Sequence, residues 1–183
     1  MPTTVLGFLD VDGPLNPWLA KPERRPAGYT THRMKPPSLY AQYPGKPRGY
    51  VKPLRVWLNP DHGPALLGLG LDLVWGTTWM GEAHDFIAPV LGLPKLPYVD
   101  FGDALGTAGD DGLHWKTKPL LAYAGDRPFC WIDDEISDRD RAYVAAHHEA
   151  PALLHWVDPR HGLRDDDFAA LAAFSARCTA TAN

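Results

Sequence analysis

The chain has 183 residues, of which 45% are hydrophobic and 22% charged, a size and composition that suit one buried core and leave little room for two. The formal net charge of -4 gives no overall positive field, which disfavours nucleic acid as an obligatory partner but does not exclude it. The two cysteines lie far apart, and no stretch approaches the ~18 apolar residues that a membrane span needs, so we expect a cytoplasmic protein without disulfides or a membrane partner.

Short apolar runs alternate with segments of helical spacing along most of the chain. The runs are dense in apolar, β-branched and aromatic residues, as is typical of strands covered on both faces. They span residues 5–11, 71–77, 97–101, 128–133 and 152–158, and the helical segments span 81–92, 117–125, 138–150 and 165–177. This order predicts a single α/β domain over residues 1–183, a three-layer α/β/α sandwich around a five-stranded, mostly parallel, Rossmann-like sheet.

Residues 13–53 break this alternation. The segment is rich in proline and in lysine and arginine, and it shows little helical periodicity. So much proline favours a loop or β-hairpin, with TTHRM and GYVKPLRVWL as possible ribbon strands. An insertion directly after the first strand of an open α/β sheet lies near the ligand crevice, so we interpret residues 13–53 as a small β-rich cap.

The motif FLDVDGPLNP ends the first apolar strand with two aspartates. Asp10 and Asp12 stand where the chain leaves the sheet, so both carboxylates are expected to reach the ligand crevice. Carboxylates this close repel one another unless a cation lies between them, which makes Mg2+ the natural cofactor.

A second acidic pair ends another apolar strand. Asp133 and Asp134 follow the run FCWI, so they too should emerge at a carboxyl edge of the sheet. If the two strands are neighbours, four acidic residues converge on one crevice, a number that indicates a metal site. Asp138 is either a further member or an ordinary residue of the first helical turn that follows.

Two further residue types complete the set. Thr77 ends the run LDLVWGT and can offer a hydroxyl to a phosphoryl oxygen, with Thr78 as the neighbouring alternative. In HWKTKPLL, either Lys116 or Lys118 could neutralise negative charge at the site. We favour Thr77 and Lys116.

In chain order, the four motifs are the aspartates of FLDVDG, then Thr77, Lys116 and the aspartate pair of WIDDE. Together they resemble the motifs of the haloacid dehalogenase superfamily. The resemblance extends from Val5 to about Asp158, and WGTTW, HWKTKPLLAYAGDRPF and WIDDE also resemble a bacterial subgroup of it. It implies that Asp10 is a nucleophile that forms an aspartyl-phosphate, with Asp12 as general acid and base. It also implies a metal site of Asp10, Asp133 and the backbone carbonyl of Asp12, with Asp134 orienting a water or the lysine.

The expected activity is Mg2+-dependent hydrolysis of a small-molecule phosphate monoester. The resemblance favours a phosphatase over a dehalogenase, because dehalogenases lack the second aspartate of the first motif. Two alternatives stay open, a phosphatase acting on nucleic-acid ends and a catalytically silent binding module. The sequence supplies neither the substrate nor the oligomeric state.

Overall fold

The core of the protein is a parallel sheet of four strands. The computed structural model describes residues 4–107, 109 and 111–181. Its strands are β1 (Leu6–Leu9), β2 (Thr30–Met34), β3 (Leu54–Leu58), β4 (Asp72–Trp75), β5 (Phe129–Asp133) and β6 (Ala152–Trp156). Its helices are α1 (Pro37–Ala41), α2 (His62–Leu67), α3 (Glu82–Phe86), α4 (Ala88–Leu91), α5 (Thr117–Ala124), α6 (Asp138–His147) and α7 (Asp165–Thr181). The sheet has the order β4-β1-β5-β6, and all of its pairings are parallel.

Alternate residues of the central strands supply two separate apolar clusters. Phe8 and Trp131 belong to a cluster that contains residues of α5 and α6, here called the α5 side. Leu9 and Ile132, one residue later, belong to a cluster that contains residues of α7, here called the α7 side. Both faces of the sheet are therefore covered, which is why its strands read as continuous apolar runs.

The prediction of a mixed α/β fold with a parallel sheet is confirmed, but the predicted fifth strand at 97–101 is wrong. This segment makes a single bridge to β4, in which Trp75 donates its peptide N–H to Pro97 and accepts one from Val99, both at 2.9 Å. Pro97 has no N–H to extend the ladder, and a 3-10 turn begins at Gly102. Val99 and Phe101 are nevertheless buried, so their apolar character reflects core packing.

The predicted helix at 81–92 is divided into α3 and α4. Pro89 lies in the first turn of α4, where its missing N–H costs nothing. A continuous helix would have needed that N–H, so the break at Ile87 follows from the proline.

The predicted ribbon within the proline-rich insertion is confirmed. β2 coincides with TTHRM and pairs antiparallel with β3, from Thr30 opposite Leu58 to Met34 opposite Leu54. β3 lies beyond residue 53, so the ribbon extends further along the chain than the insertion we predicted. Met34, Val56 and Leu58 join the cluster on the α7 side, so the ribbon packs against the main sheet domain.

The structure contains no candidate membrane span in the residues that it describes, because none of their helices is both long and apolar enough.

Candidate functional site

The sheet register places Asp10 beside Asp133. Leu9 of β1 pairs with Ile132 of β5, and the peptide N–H of Asp10 donates to the Ile132 carbonyl at 3.0 Å. Phe8 and Trp131, two residues earlier on each strand, both pack on the α5 side. Because side chains alternate along a strand, both carboxylates point toward the N-terminal end of α5.

Lys116 lies between these two carboxylates. It is the residue directly before α5, and its Nζ is 2.9 Å from Asp10 Oδ2 and 2.7 Å from Asp133 Oδ2. All three side chains are buried. Lys118 lies elsewhere, with a side chain that is 58% exposed and an ion pair to Asp111. The structure therefore places Lys116 in the site and Lys118 on the surface.

Burial dominates the electrostatics of the site. It raises the pKa of Asp10 from 3.8 to about 8, against the opposing effect of the Lys116 ammonium, and the negative charges of Asp133 and Asp12 add to the rise. Burial alone would lower the pKa of Lys116, but Asp10 and Asp133 outweigh it and raise that pKa. When Asp10 is ionised, two carboxylates and one ammonium leave an excess of negative charge, which a cation would offset.

Asp133 is fixed by neutral donors as well as by Lys116. The indole N–H of Trp131 donates to Asp133 Oδ2 at 2.9 Å, and the peptide N–H of Glu135 donates to Oδ1 at 2.9 Å. Asp10 receives one such bond, from the peptide N–H of Val11 to its Oδ1 at 2.8 Å. These donors hold the carboxylates in place without adding positive charge.

Asp134 joins Asp10 and Asp133 to form a possible metal centre. Each of the three aspartates offers one carboxylate oxygen, and these oxygens all lie within 4.8 Å of one another. Hard oxygen donors with excess negative charge suit Mg2+ or Ca2+. The sequence-based hypothesis assigned Asp134 an outer role and Asp12 a ligand role through its backbone carbonyl, whereas this cluster of side chains holds Asp134 and not Asp12.

Asp134 is also tied to two tryptophans at the surface. Trp18, whose ring is about half exposed, donates its indole N–H to Asp134 Oδ2 at 3.1 Å, and Trp156 donates to the Asp134 carbonyl at 2.8 Å. Burial raises the pKa of Asp134 to about 6, with the Trp18 hydrogen bond opposing the rise. A Cβ on Gly13, which has φ +102, would lie 2.4 Å from Asp134 Oδ1, so only glycine fits at that position.

Both carboxylate oxygens of Asp12 accept hydrogen bonds. The side-chain amide of Asn16 donates to Oδ1 at 2.7 Å, and the indole N–H of Trp79 donates to Oδ2 at 2.9 Å. Asp12 is therefore held in one orientation beside the cluster of Asp10, Asp133 and Asp134.

Thr77 follows β4 at the same edge of the sheet. The preceding Gly76 still pairs with β1 through its N–H to the Leu9 carbonyl at 2.9 Å, so Thr77 leaves the sheet next to the residues that follow Leu9. Its side chain is buried, and Oγ1 accepts the peptide N–H of Trp79 at 3.3 Å. The alternative, Thr78, is exposed.

Two kinds of residue around the site were missed in the sequence. One kind is tryptophan, to which the sequence analysis assigned no role at the site. Four indole N–H groups donate to three of its aspartates: those of Trp18, Trp79, Trp131 and Trp156. The other is Asp140, which is buried in the first turn of α6, whereas Asp138 simply opens that helix. Only the spacing of Trp131 and Asp133 on one strand is a local signal that could have indicated such a contact.

Asp140 holds the turn that carries Lys116. Its Oδ1 accepts the peptide N–H of His114 at 2.8 Å and the hydroxyl of Thr117 at 2.6 Å, and its Oδ2 accepts from Ser137. Burial opposes a lower pKa for Asp140, but the hydrogen bonds from Ser137, Thr117 and His114 outweigh it and lower that pKa. Asp140 thus joins the start of α5 to the start of α6.

Comparison of the chain with family models, with curated proteins and with solved structures found no match. A function must therefore be inferred from the geometry of the aspartates and Lys116.

Lys116→Met should destabilise the fold far more than Lys118→Met. The first change leaves two buried carboxylates without their ammonium partner, which typically costs about 3 to 5 kcal/mol, whereas the second breaks a solvent-exposed pair. Urea unfolding of the two variants at neutral pH, in the presence of EDTA, measures the difference. Equal losses of stability would contradict the structural role of Lys116.

Asp10→Asn should stabilise the metal-free protein at alkaline pH. A carboxyl whose pKa rises from 3.8 to about 8 on folding contributes stability below pH 4 that is lost as the pH rises through 8. The asparagine variant does not lose this stability. The difference between its free energy of unfolding and that of the wild type, here called its advantage, should therefore be greater at pH 9 than at pH 5 by more than about 1 kcal/mol.

Urea unfolding in EDTA at the two pH values measures this advantage. Added Mg2+ should narrow it by stabilising the wild type. Asp126→Asn, at an exposed carboxylate, is the matched control and should show no such dependence on pH. An advantage of Asp10→Asn that stays constant from pH 5 to 9 would contradict the burial effect.

Proposed function

We propose that the protein is a Mg2+-dependent phosphatase of the haloacid dehalogenase type, acting on a phosphate monoester through an aspartyl-phosphate on Asp10. The observation that carries this proposal is the buried Asp10–Lys116–Asp133 contact, with distances of 2.9 and 2.7 Å, beside a third carboxylate within reach of a shared cation. A nucleophilic carboxylate, a fixed ammonium and a metal centre are what phosphoryl transfer requires.

The side chains of Asp10 and Asp133 would hold the Mg2+, together with the backbone carbonyl of Asp12. Asp134 would complete the site directly or through a water. The bound ion would offset negative charge on the phosphoryl group.

In the first step, a carboxylate oxygen of Asp10 attacks phosphorus and forms the acyl-phosphate bond as the bond to the leaving oxygen breaks. Asp12 gives its proton to that oxygen, which departs as an alcohol. In the second step, Asp12 takes a proton from a water that attacks phosphorus, and Asp10 is released together with inorganic phosphate. Lys116 neutralises charge at Asp10 throughout, and the Thr77 hydroxyl binds a phosphoryl oxygen.

We assign the β2–β3 ribbon as the cap of this site. Its support is that the peptide N–H of Trp57, in β3, donates to Asn16 Oδ1 at 3.0 Å, and Asn16 in turn binds Asp12. A cap this small would leave the site open to small phosphate monoesters. It would act as a wall of the crevice beside the general acid.

The wild-type protein should hydrolyse p-nitrophenyl phosphate with Mg2+ and lose this activity in EDTA. Asp10→Asn should abolish turnover, because an amide cannot form the acyl-phosphate, while Asp126→Asn should remain active. Release of p-nitrophenol, with circular dichroism to verify folding, measures both effects. Equal turnover with and without EDTA would reject the metal, and no turnover in either would favour a catalytically silent binding module.

A second candidate function, hydrolysis of a phosphate at a nucleic-acid end, has one observation in its favour. Residues 24–60 contain eight lysines and arginines and no aspartate or glutamate: Arg24, Arg25, Arg33, Lys35, Lys46, Arg48, Lys52 and Arg55. Tyr43 and Tyr50 are exposed in the same segment. A local positive surface with exposed aromatic rings suits a phosphate backbone and its bases.

For this second candidate, the wild type should release phosphate faster from a 5′- or 3′-phosphorylated oligonucleotide than from the matching nucleotide. The advantage should shrink as salt rises, because phosphate contacts displace counterions. Arg48→Ala combined with Lys52→Ala should reduce turnover of the oligonucleotide and leave that of p-nitrophenyl phosphate unchanged. Equal rates on oligonucleotide and nucleotide would reject it.

A further inference from the structure

The carboxylate of Asp12 is joined to the β2–β3 ribbon by a continuous set of hydrogen bonds through Asn16. We propose that Asn16 is a positioning residue: it acts through Asp12, with Trp79 as second donor, to hold that carboxyl in line for proton transfer to the leaving group. This inference rests on the proposed phosphatase function and adds to it the device that orients the general acid.

The direction of the Asn16 amide is set by its neighbours. A peptide N–H can only donate, so the Trp57 N–H requires the oxygen of the amide on its side, at 3.0 Å. The NH2 group must then face Asp12 Oδ1, at 2.7 Å. An amide is the smallest side chain that supplies both an acceptor and a donor in one rigid plane.

Asn16 itself cannot move freely. It is 5% exposed, its N–H donates to the Val11 carbonyl at 2.8 Å, and its carbonyl accepts the N–H of Gly13 at 2.8 Å. The backbone from Val11 to Asn16 therefore forms a closed turn around Asp12.

Trp79 fixes the second oxygen of Asp12. Its indole N–H donates to Oδ2 at 2.9 Å, and its ring is buried in the cluster on the α7 side. Two donors on two oxygens define the plane of the carboxyl group, and each oxygen keeps a further lone pair for the transferred proton. Neither donor to Asp12 is charged, so neither adds to the positive charge that Lys116 brings to Asp10 and Asp133.

The consequence for catalysis depends on the leaving group. An alkoxide is a poor leaving group and needs a proton as the P–O bond breaks, whereas p-nitrophenolate departs without one. A misplaced Asp12 should therefore lower kcat/KM for an alkyl phosphate and spare kcat/KM for p-nitrophenyl phosphate, because kcat/KM reports only the steps up to formation of the aspartyl-phosphate. Hydrolysis of that intermediate, in which Asp12 acts as the base, is common to both esters and affects only kcat. A loss of general folding or of metal binding would lower kcat/KM for both esters.

The test compares kcat/KM for glycerol phosphate and for p-nitrophenyl phosphate in Asn16→Asp and Trp79→Phe. Asn16→Asp keeps the oxygen that accepts from Trp57 and replaces the donor to Asp12 with an acidic oxygen. Trp79→Phe removes the other donor without adding a charge, so a result common to both variants does not depend on the added charge. Asn16→Ala removes both contacts of the amide. Asn59→Ala is the matched control. This asparagine also lies near the ribbon, just after β3, but its side-chain oxygen accepts the peptide N–H of Asp61.

For Asn16→Asp and Trp79→Phe, kcat/KM for glycerol phosphate should fall about 10- to 100-fold while kcat/KM for p-nitrophenyl phosphate changes less than about threefold. Asn59→Ala should behave as the wild type. Thermal melting reports whether Asn16→Ala still folds, and the comparison of the two esters does not depend on that variant.

Equal losses of kcat/KM on the two esters, or unchanged kcat/KM on both, would overturn the positioning role while leaving the phosphatase function intact. A wild-type protein that hydrolyses neither ester would overturn the proposed function, and the role of Asn16 with it.

Discussion

Lys116 brings one positive charge into contact with two buried carboxylates, those of Asp10 and Asp133. The strand register alone would leave these two acids side by side in a medium that cannot hydrate them. A single ammonium makes the pair tolerable but does not neutralise it. Under the proposed function, this negative charge would link stability to activity, since the same excess that destabilises the metal-free fold would attract a cation.

The neutral groups around these charged side chains hold them in place without neutralising their charge. Indole and peptide N–H groups and the side-chain amide of Asn16 supply the other hydrogen bonds to Asp12, Asp133 and Asp134. Asp140 anchors the turn that presents Lys116. Neutral donors orient a carboxylate yet leave its charge available to a metal. The abundance of tryptophan at this edge of the sheet thus has an electrostatic reason as well as a packing one.

Local patterns in the sequence predicted those parts of the structure that local rules govern. Acidic residues directly after apolar strands indicated the edge where Asp10 and Asp133 meet, and the proline content of residues 13–53 indicated a hairpin with TTHRM as a strand. The prediction of a fifth strand was wrong because buried apolar residues such as Val99 and Phe101 give the same sequence pattern whether or not their backbone pairs with a neighbouring strand. The contacts of Trp18 with Asp134 and of Trp79 with Asp12 join residues 116 and 67 positions apart, which no periodicity can reveal.

If the ribbon is the cap of the proposed site, the core that it shares with the main sheet limits how a substrate could enter. Swinging the ribbon outward would bring Met34, Val56 and Leu58 into water, at roughly 1.5 to 3 kcal/mol for each large apolar side chain. An opening that stays unchanged therefore costs less free energy than one made by moving the ribbon. Substrates would then be selected by whether they fit an opening of constant width. The shape of that opening, and not a closing movement of the ribbon, would determine selectivity.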